Sequence, residues 1–168
     1  MTSFPQYNYP GFQYNKVVEW RRVVKQIRDA VDQVTGQSST FVNVKKYPVD
    51  AAMDWHQDKT KEWAEGAGVA IISFGYTRQL QIGVKTTRVV IDKKDGTKRT
   101  RESKQVVRTI DMHPGMIFFL GPETNKQYYH RVKPLTPLQQ AKAGERWSLQ
   151  FREVVVYGKP RLVSLNAS

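Results

Sequence analysis

The chain has 168 residues with ordinary globular composition, 39% hydrophobic and 11% aromatic, which argues against disorder and is the size of one domain with a sizeable core. It contains no cysteine, excluding disulfides, thiolate zinc sites, iron–sulfur clusters and cysteine nucleophiles, so His, Asp and Glu are the only metal ligands left. Twelve net positive charges point to a polyanionic partner, most simply nucleic acid; no segment is long and apolar enough for a membrane span, and a soluble intracellular protein is expected.

Phe4 to Tyr14 interleave Tyr7, Tyr9 and Tyr14 with two phenylalanines, two prolines and a glycine. This composition resists regular structure and reads either as an aromatic lid that stacks on bases or as an arm packed on the core. From Val17 to Val34 the apolar residues recur at helical spacing, with Asn15 as a cap and Gly36 as a stop, predicting an amphipathic scaffold helix. Thr40 to Tyr47 alternates as a strand, with Phe41, Asn43, Lys45 and Tyr47 on one face. Pro48 to Asp54 reads as a turn.

His56-Gln57-Asp58 follows. In extended backbone the two ligands point the same way, and a second histidine would complete the triad of two imidazoles and a carboxylate that holds non-haem Fe(II). Taken alone the motif is weak, because a surface histidine beside an aspartate has the same spelling. Two other histidines exist, His113 in a turn-like Met-His-Pro-Gly and His130 in a strand-like run; His130 is the better candidate, 72 residues beyond Asp58 with several strands between.

Lys61 to Gly68 reads as a polar loop and Val69 to Gly75 as a buried strand. Arg78 to Ile91 and Val106 to Ile110 predict strands flanking a polar tip, Asp92 to Gln105. Between Lys85 and Arg108 nine cations, among them Lys93, Lys94, Lys98, Arg99, Arg101 and Lys104, face three acids, a net +6. Such a concentration suits an arm gripping phosphates; the plainer reading is a solvated hairpin. Met116 to Leu120 is a further strand and Gly121 to Asn125 a turn. In the strand Arg146 to Arg152, alternation sets Trp147, Leu149 and Phe151 against Arg146, Ser148, Gln150 and Arg152. If the second face looks into a barrel its guanidiniums need an anion such as a small dicarboxylate; if it is exposed they are solvated.

The order His56-x-Asp58, His130, Arg146-x-Ser148, Arg152 resembles the Fe(II)- and 2-oxoglutarate-dependent dioxygenases, and more narrowly the AlkB family of nucleic-acid demethylases. The resemblance runs from about Tyr9 to Val154. It includes Thr35-Gly36-Gln37 leading to Phe41-Val42, Tyr47 nine residues before His56, Ser73-Phe74-Gly75, Thr124-Asn125 before Tyr129-His130, and the closing Arg-x-x-Leu-x-Phe-Arg. It implies a mainly β fold with a flanking N-terminal helix, a double-stranded β-helix or jelly roll over residues 1–168, with a lid at 1–15 and a basic hairpin at 85–108. It further implies that His56, Asp58 and His130 hold Fe(II). Tyr47, Arg146 and Ser148 would serve 2-oxoglutarate, with Arg152, Asn43, Lys45 and Gln150 around it. O2 is the co-reactant, and N-alkyl groups leave DNA or RNA bases as aldehyde, with succinate and CO2. The lid tyrosines and Thr60 would meet the base, which a duplex must flip out. A monomer is expected. Three positions depart from the family: Lys45 replaces an Asn, Thr60 an acidic residue and Gln150 a Thr. The first two keep open another substrate, an unalkylated nucleobase or a protein; a non-catalytic nucleic-acid-binding module is the reading from another class.

Overall fold

The computed structural model describes residues 19–92, 94, 96–155 and the pairs Phe4–Pro5 and Tyr157–Gly158. Tyr7, Tyr9, Tyr14 and Lys93 lie outside the described residues.

Helix α1 (Arg22–Thr35) begins later than its apolar spacing suggests. Arg21 is extended (ψ 142°), so the cap falls there; Asn15 lies outside the described residues. Trp20, which continued the helical pattern, reaches the core from non-helical backbone, stacking on Phe151 at 6.2 Å beneath Arg28. Gly36 ends the helix as expected, in the left-handed conformation (φ 71°) that glycine adopts without a Cβ penalty.

Apart from a separate two-residue pairing of Phe4–Pro5 with Tyr157–Gly158, eight strands follow: β1 (Phe41–Tyr47), β2 (Met53–His56), β3 (Val69–Gly75), β4 (Arg78–Ile91), β5 (Lys98–Met112), β6 (Ile117–Leu120), β7 (Tyr129–Val132) and β8 (Arg146–Arg152). They form two antiparallel four-stranded sheets, ordered β1-β8-β3-β6 and β2-β7-β4-β5. This pairing of first with last strand is the double-stranded β-helix. Two short helices, α2 (Pro122–Gln127) and α3 (Pro137–Gln140), occupy connections.

Apolar residues of both sheets meet between them, among them Val69, Ile71, Leu80, Ile82, Met112, Leu120 and Val132. On the outer side of the first sheet, Ala70, Ile72, Leu149 and Phe151 pack under Val31 of α1. That double coverage explains why β3 is a continuous apolar run: both its faces are buried.

Three boundaries depart from expectation. β2 starts at Met53, inside the stretch read as a turn. The polar residues Lys98 to Gln105, read as hairpin tip, are strand: β4 and β5 pair from Arg78↔Met112 out to Ile91↔Lys98. Their side chains are polar because most of that ladder stands clear of the core, not because the backbone turns. Gly121-Pro122 opens α2 instead of a bare turn, with Pro at the start of the helix, where its missing N–H costs nothing.

Candidate metal centre and anion pocket

His56 and His130 are direct cross-strand partners on β2 and β7, their rings 4.1 Å apart between centroids. Sheet register alone brings them together. Asp58 lies two residues past the end of β2, its Oδ1 at 3.5 Å from His56 Nε2 and 3.9 Å from His130 Nε2. One ligand atom from each of the three residues falls within 4.8 Å of the others. His113 is elsewhere, in an exposed turn at 3.1 Å from Thr77.

Each of these side chains has a neighbour that orients it. His56 Nδ1 stands 2.8 Å from the Asp54 carbonyl. An N–H must donate there, which turns Nε2 toward Asp58, as a lone pair in the neutral ring and as a hydrogen-bond donor in the protonated one. Asp58 is held through its backbone: Asn125 Oδ1 accepts from its N–H at 2.8 Å and Asn125 Nδ2 donates to its carbonyl at 2.9 Å. Gln57 adds hydrogen bonds to the carbonyls of Asn125 and Lys126. The Asp58 carboxylate is therefore positioned by α2, not by a strand. Its Oδ2 accepts from Arg152 at 3.1 Å, which leaves Oδ1 for the histidine side.

Protonation states match those of metal ligands. Burial works against ionised Asp58, but the His56 hydrogen bond and the charges of Arg152 and His130 prevail and hold it well below the usual carboxylate range. Burial, together with His56, Arg152 and Lys45, pushes His130 down to about 4 despite the opposing Asp58. An ionised carboxylate beside neutral imidazole is the state that binds a cation.

A second cluster continues along the same interior. β1 and β8 pair with Tyr47↔Arg146, Lys45↔Ser148 and Asn43↔Gln150, and Asn43, Tyr47, Arg146, Ser148, Gln150 and Arg152 are all buried. The face of β8 carrying the arginines thus looks inward, the alternative in which an anion is required. Arg146, 3% exposed, donates to Ser73 Oγ at 2.7 Å and lies over the Tyr47 ring at 5.0 Å. Its Nε and Nη1 and the Ser148 hydroxyl have no hydrogen-bond partner among the described residues. Buried donors of that kind fit a carboxylate. Lys45 is half-buried at the level of Ser148; burial and then Arg152 lower its pKa against the opposing Asp58. Thr60 is exposed beyond the metal loop.

Sequence reasoning gave no role to Asn125, Ser73, Gln57 or Trp63, the last lying 5.5 Å beneath the Arg152 guanidinium. A buried polar Asn within a short polar turn was the available signal for the first.

Residues 1–152 match the model of the 2OG-Fe(II) oxygenase superfamily. The mouse protein named DNA oxidative demethylase ALKBH2 is 31% identical over 137 residues, covering 81% of this chain and 52% of that protein. Its human and bovine namesakes are 27% and 29% identical, over 83% and 89% of this chain and 49% of each. The chain spans about half the length of the curated relatives it matches. A solved structure, that of OsALKBH1, aligns with a TM-score of 0.45 at 20% identity, over 78% of this chain and 61% of that one. With its two histidines and aspartate converging beside a buried arginine, the chain belongs to the 2OG-Fe(II) oxygenase superfamily, and within it to the AlkB family.

Proposed function

We propose that this protein is a Fe(II)- and 2-oxoglutarate-dependent dioxygenase that removes N-alkyl groups from bases in nucleic acid, with DNA the favoured substrate. The carrying observation is that a His-Asp-His cluster and a buried, incompletely satisfied arginine share one barrel interior. His56, Asp58 and His130 are the metal ligands in this reading, and Arg146, Ser148 and Tyr47 receive the distal carboxylate of 2-oxoglutarate. Asn43, Lys45 and Gln150 line the space between, with Arg152 at its metal end. Fe(II) and 2-oxoglutarate, when bound, let O2 oxidise an N-alkyl C–H bond to C–OH, which collapses to aldehyde and free base as succinate and CO2 form.

The protein's own part is positional. Asp58 stays ionised through the His56 hydrogen bond and through Arg152, which pairs with the oxygen turned away from the histidines. Leu80, Ile82 and Trp63 make the adjoining interior apolar, so charges beside them act in a poorer dielectric than water. Lid tyrosines Tyr7, Tyr9 and Tyr14 and the loop residue Thr60 are the candidates to meet the base. Likeness to proteins named DNA oxidative demethylase supports DNA.

The hairpin supplies the grip on the backbone. Arg88 and Arg101 are cross-strand partners, and Arg99, two residues from Arg101, shares their face. Like charges directly opposite are unfavourable without a bridging anion, and a phosphate is one. Counted along β4, this is the face of Ile82 and hence of His130, its cross-strand neighbour. On the other face, Lys85 pairs with Glu102 and Lys104 lies over Tyr129 at 3.8 Å. Lys94 and Lys98 add charge near the tip.

The test is anaerobic titration with Fe(II) and 2-oxoglutarate, followed by O2 and methylated DNA and RNA oligonucleotides. A visible charge-transfer band followed by formaldehyde release is expected. A band with succinate but no repaired base would move the substrate elsewhere; no band would remove the metal centre.

A further inference from the structure

Arg78, at the start of β4, has no part in the reading above. It is 1% exposed, among the largest fully buried side chains of the described structure. Its Nη2 donates to the carbonyls of Ala51 at 2.6 Å and Lys133 at 3.1 Å, tying the β1–β2 turn to the segment after β7. A latch of that kind employs one nitrogen. Nε and Nη1 have no hydrogen-bond partner, and among the described residues no carboxylate lies in ion-pair range of Arg78.

Arg146 presents the same deficit from β8, with its own Nε and Nη1 unpartnered and no ion pair among the described residues. The fold brings the two side chains toward one another: Gly75, three residues before Arg78, is the cross-strand partner of Arg146, Arg146 lies over the Tyr47 ring at 5.0 Å, and Arg78 holds Ala51 in the turn that follows Tyr47. Burial lowers the pKa of both; Tyr47 opposes the fall in each, and the charge of Arg78 adds to it in Arg146. Four unsatisfied guanidinium nitrogens, the unpartnered Ser148 hydroxyl and mutual repulsion make an arrangement that is costly until an anion joins it. A carboxylate has two oxygens and about four acceptor sites, so a bidentate pair with one guanidinium leaves acceptors for a second.

We propose that Arg78 is a second anion-binding residue of the cosubstrate pocket, sharing the distal carboxylate of 2-oxoglutarate with Arg146. The inference rests on the assignment of 2-oxoglutarate made above and adds a residue to it. Its consequence is selectivity: a doubled cation penalises any 2-oxo acid whose far end is uncharged, because such a ligand would bury both guanidiniums without compensation.

The experiment compares equilibrium binding of 2-oxoglutarate with that of 2-oxopentanoate, which has the same carbon chain ending in a methyl group, to the anaerobic Fe(II)-loaded protein. In Arg78→Met, 2-oxoglutarate affinity is expected to fall tenfold or more while 2-oxopentanoate affinity changes less than threefold. Equal losses for the two ligands, or none, would overturn the proposal and leave Arg78 as a latch. Should Arg78→Met fail to fold, Arg146→Met gives the complementary reading. With Arg78 intact it retains a several-fold preference for 2-oxoglutarate, and the absence of any preference rejects the shared site. If the unaltered chain binds neither ligand, the cosubstrate assignment falls, and the Arg78 proposal with it.

Discussion

The placement of Asp58, the carboxylate of the proposed metal centre, depends on a side chain outside the His-Asp-His cluster. Asn125 is 3% exposed and clamps the Asp58 backbone through both amide atoms. Asn125→Ala removes both hydrogen bonds and strands an N–H and a C=O of a partly buried residue. Each lost bond costs roughly 0.5–1.5 kcal/mol, with more where the partner stays unsatisfied. The loop is close enough to the surface for water to recover part of the loss, so about 2 kcal/mol is expected. For a domain of this size that lowers the melting temperature by about 4–8 °C. Because Asp58 would then sample orientations that miss the histidines, Fe(II) affinity should fall about 10- to 100-fold. Thermal denaturation of the metal-free protein and anaerobic Fe(II) titration read the two effects separately. Asn125→Asp sharpens the comparison: an oxygen would accept from the Asp58 N–H, while the other would face the Asp58 carbonyl and repel it. If Asn125→Ala melts within about 1 °C of the unaltered protein and binds Fe(II) equally well, the clamp is ornamental and the account of how Asp58 is placed is wrong.

Acid should weaken the metal-free fold in a defined window. His130 is lowered from 6.5 to about 4, so the unfolded chain binds the extra proton between those values and stability drops as pH falls through them. Asp58, lowered from 3.8, adds a further loss below its unfolded value. Melting temperature against pH should therefore be flatter between pH 6.5 and about 4 in His130→Asn; an unchanged slope counts against the buried neutral imidazole. At Gly83 a Cβ would lie 2.8 Å from both the Gln105 carbonyl and the Trp55 ring. Gly83→Ala is thus expected to cost about 1–3 kcal/mol by overpacking and, by moving Trp55 next to His56, to weaken metal binding; a neutral effect in urea denaturation would show that Trp55 yields freely. In the hairpin, Arg88→Glu with Arg101→Glu should lower DNA affinity and reduce the slope of log K against log salt by about 0.9 for each phosphate no longer neutralised, leaving 2-oxoglutarate binding intact. An unaltered slope would assign those arginines to solvent.

Much of the interior followed from alternation alone. The period of two in Arg146 to Arg152 separates the helix-covered face from the interior face, and the same rule puts Asn43, Lys45 and Tyr47 opposite it on β1. Such local geometry is carried by the backbone of each strand and needs no knowledge of the partner. The hairpin tip misled because polarity signals solvent on the side chain, and a two-stranded arm standing clear of the core is polar while fully paired. The start of α1 misled for the converse reason: Trp20 satisfies a helical spacing by its burial, and burial does not require helical backbone.

The amino-acid sequence by itself determined the kinds of ligand, the charge, the faces of β1 and β8, and through them the family. Only the tertiary structure decided that His56 and His130 are cross-strand partners, that Asn125 aims Asp58, and that Arg78 and Arg146 are both buried with unpartnered guanidinium nitrogens. Those relations link residues up to 74 positions apart. They depend on sheet register and loop docking, which arise from packing the whole barrel and leave no periodic mark in the chain.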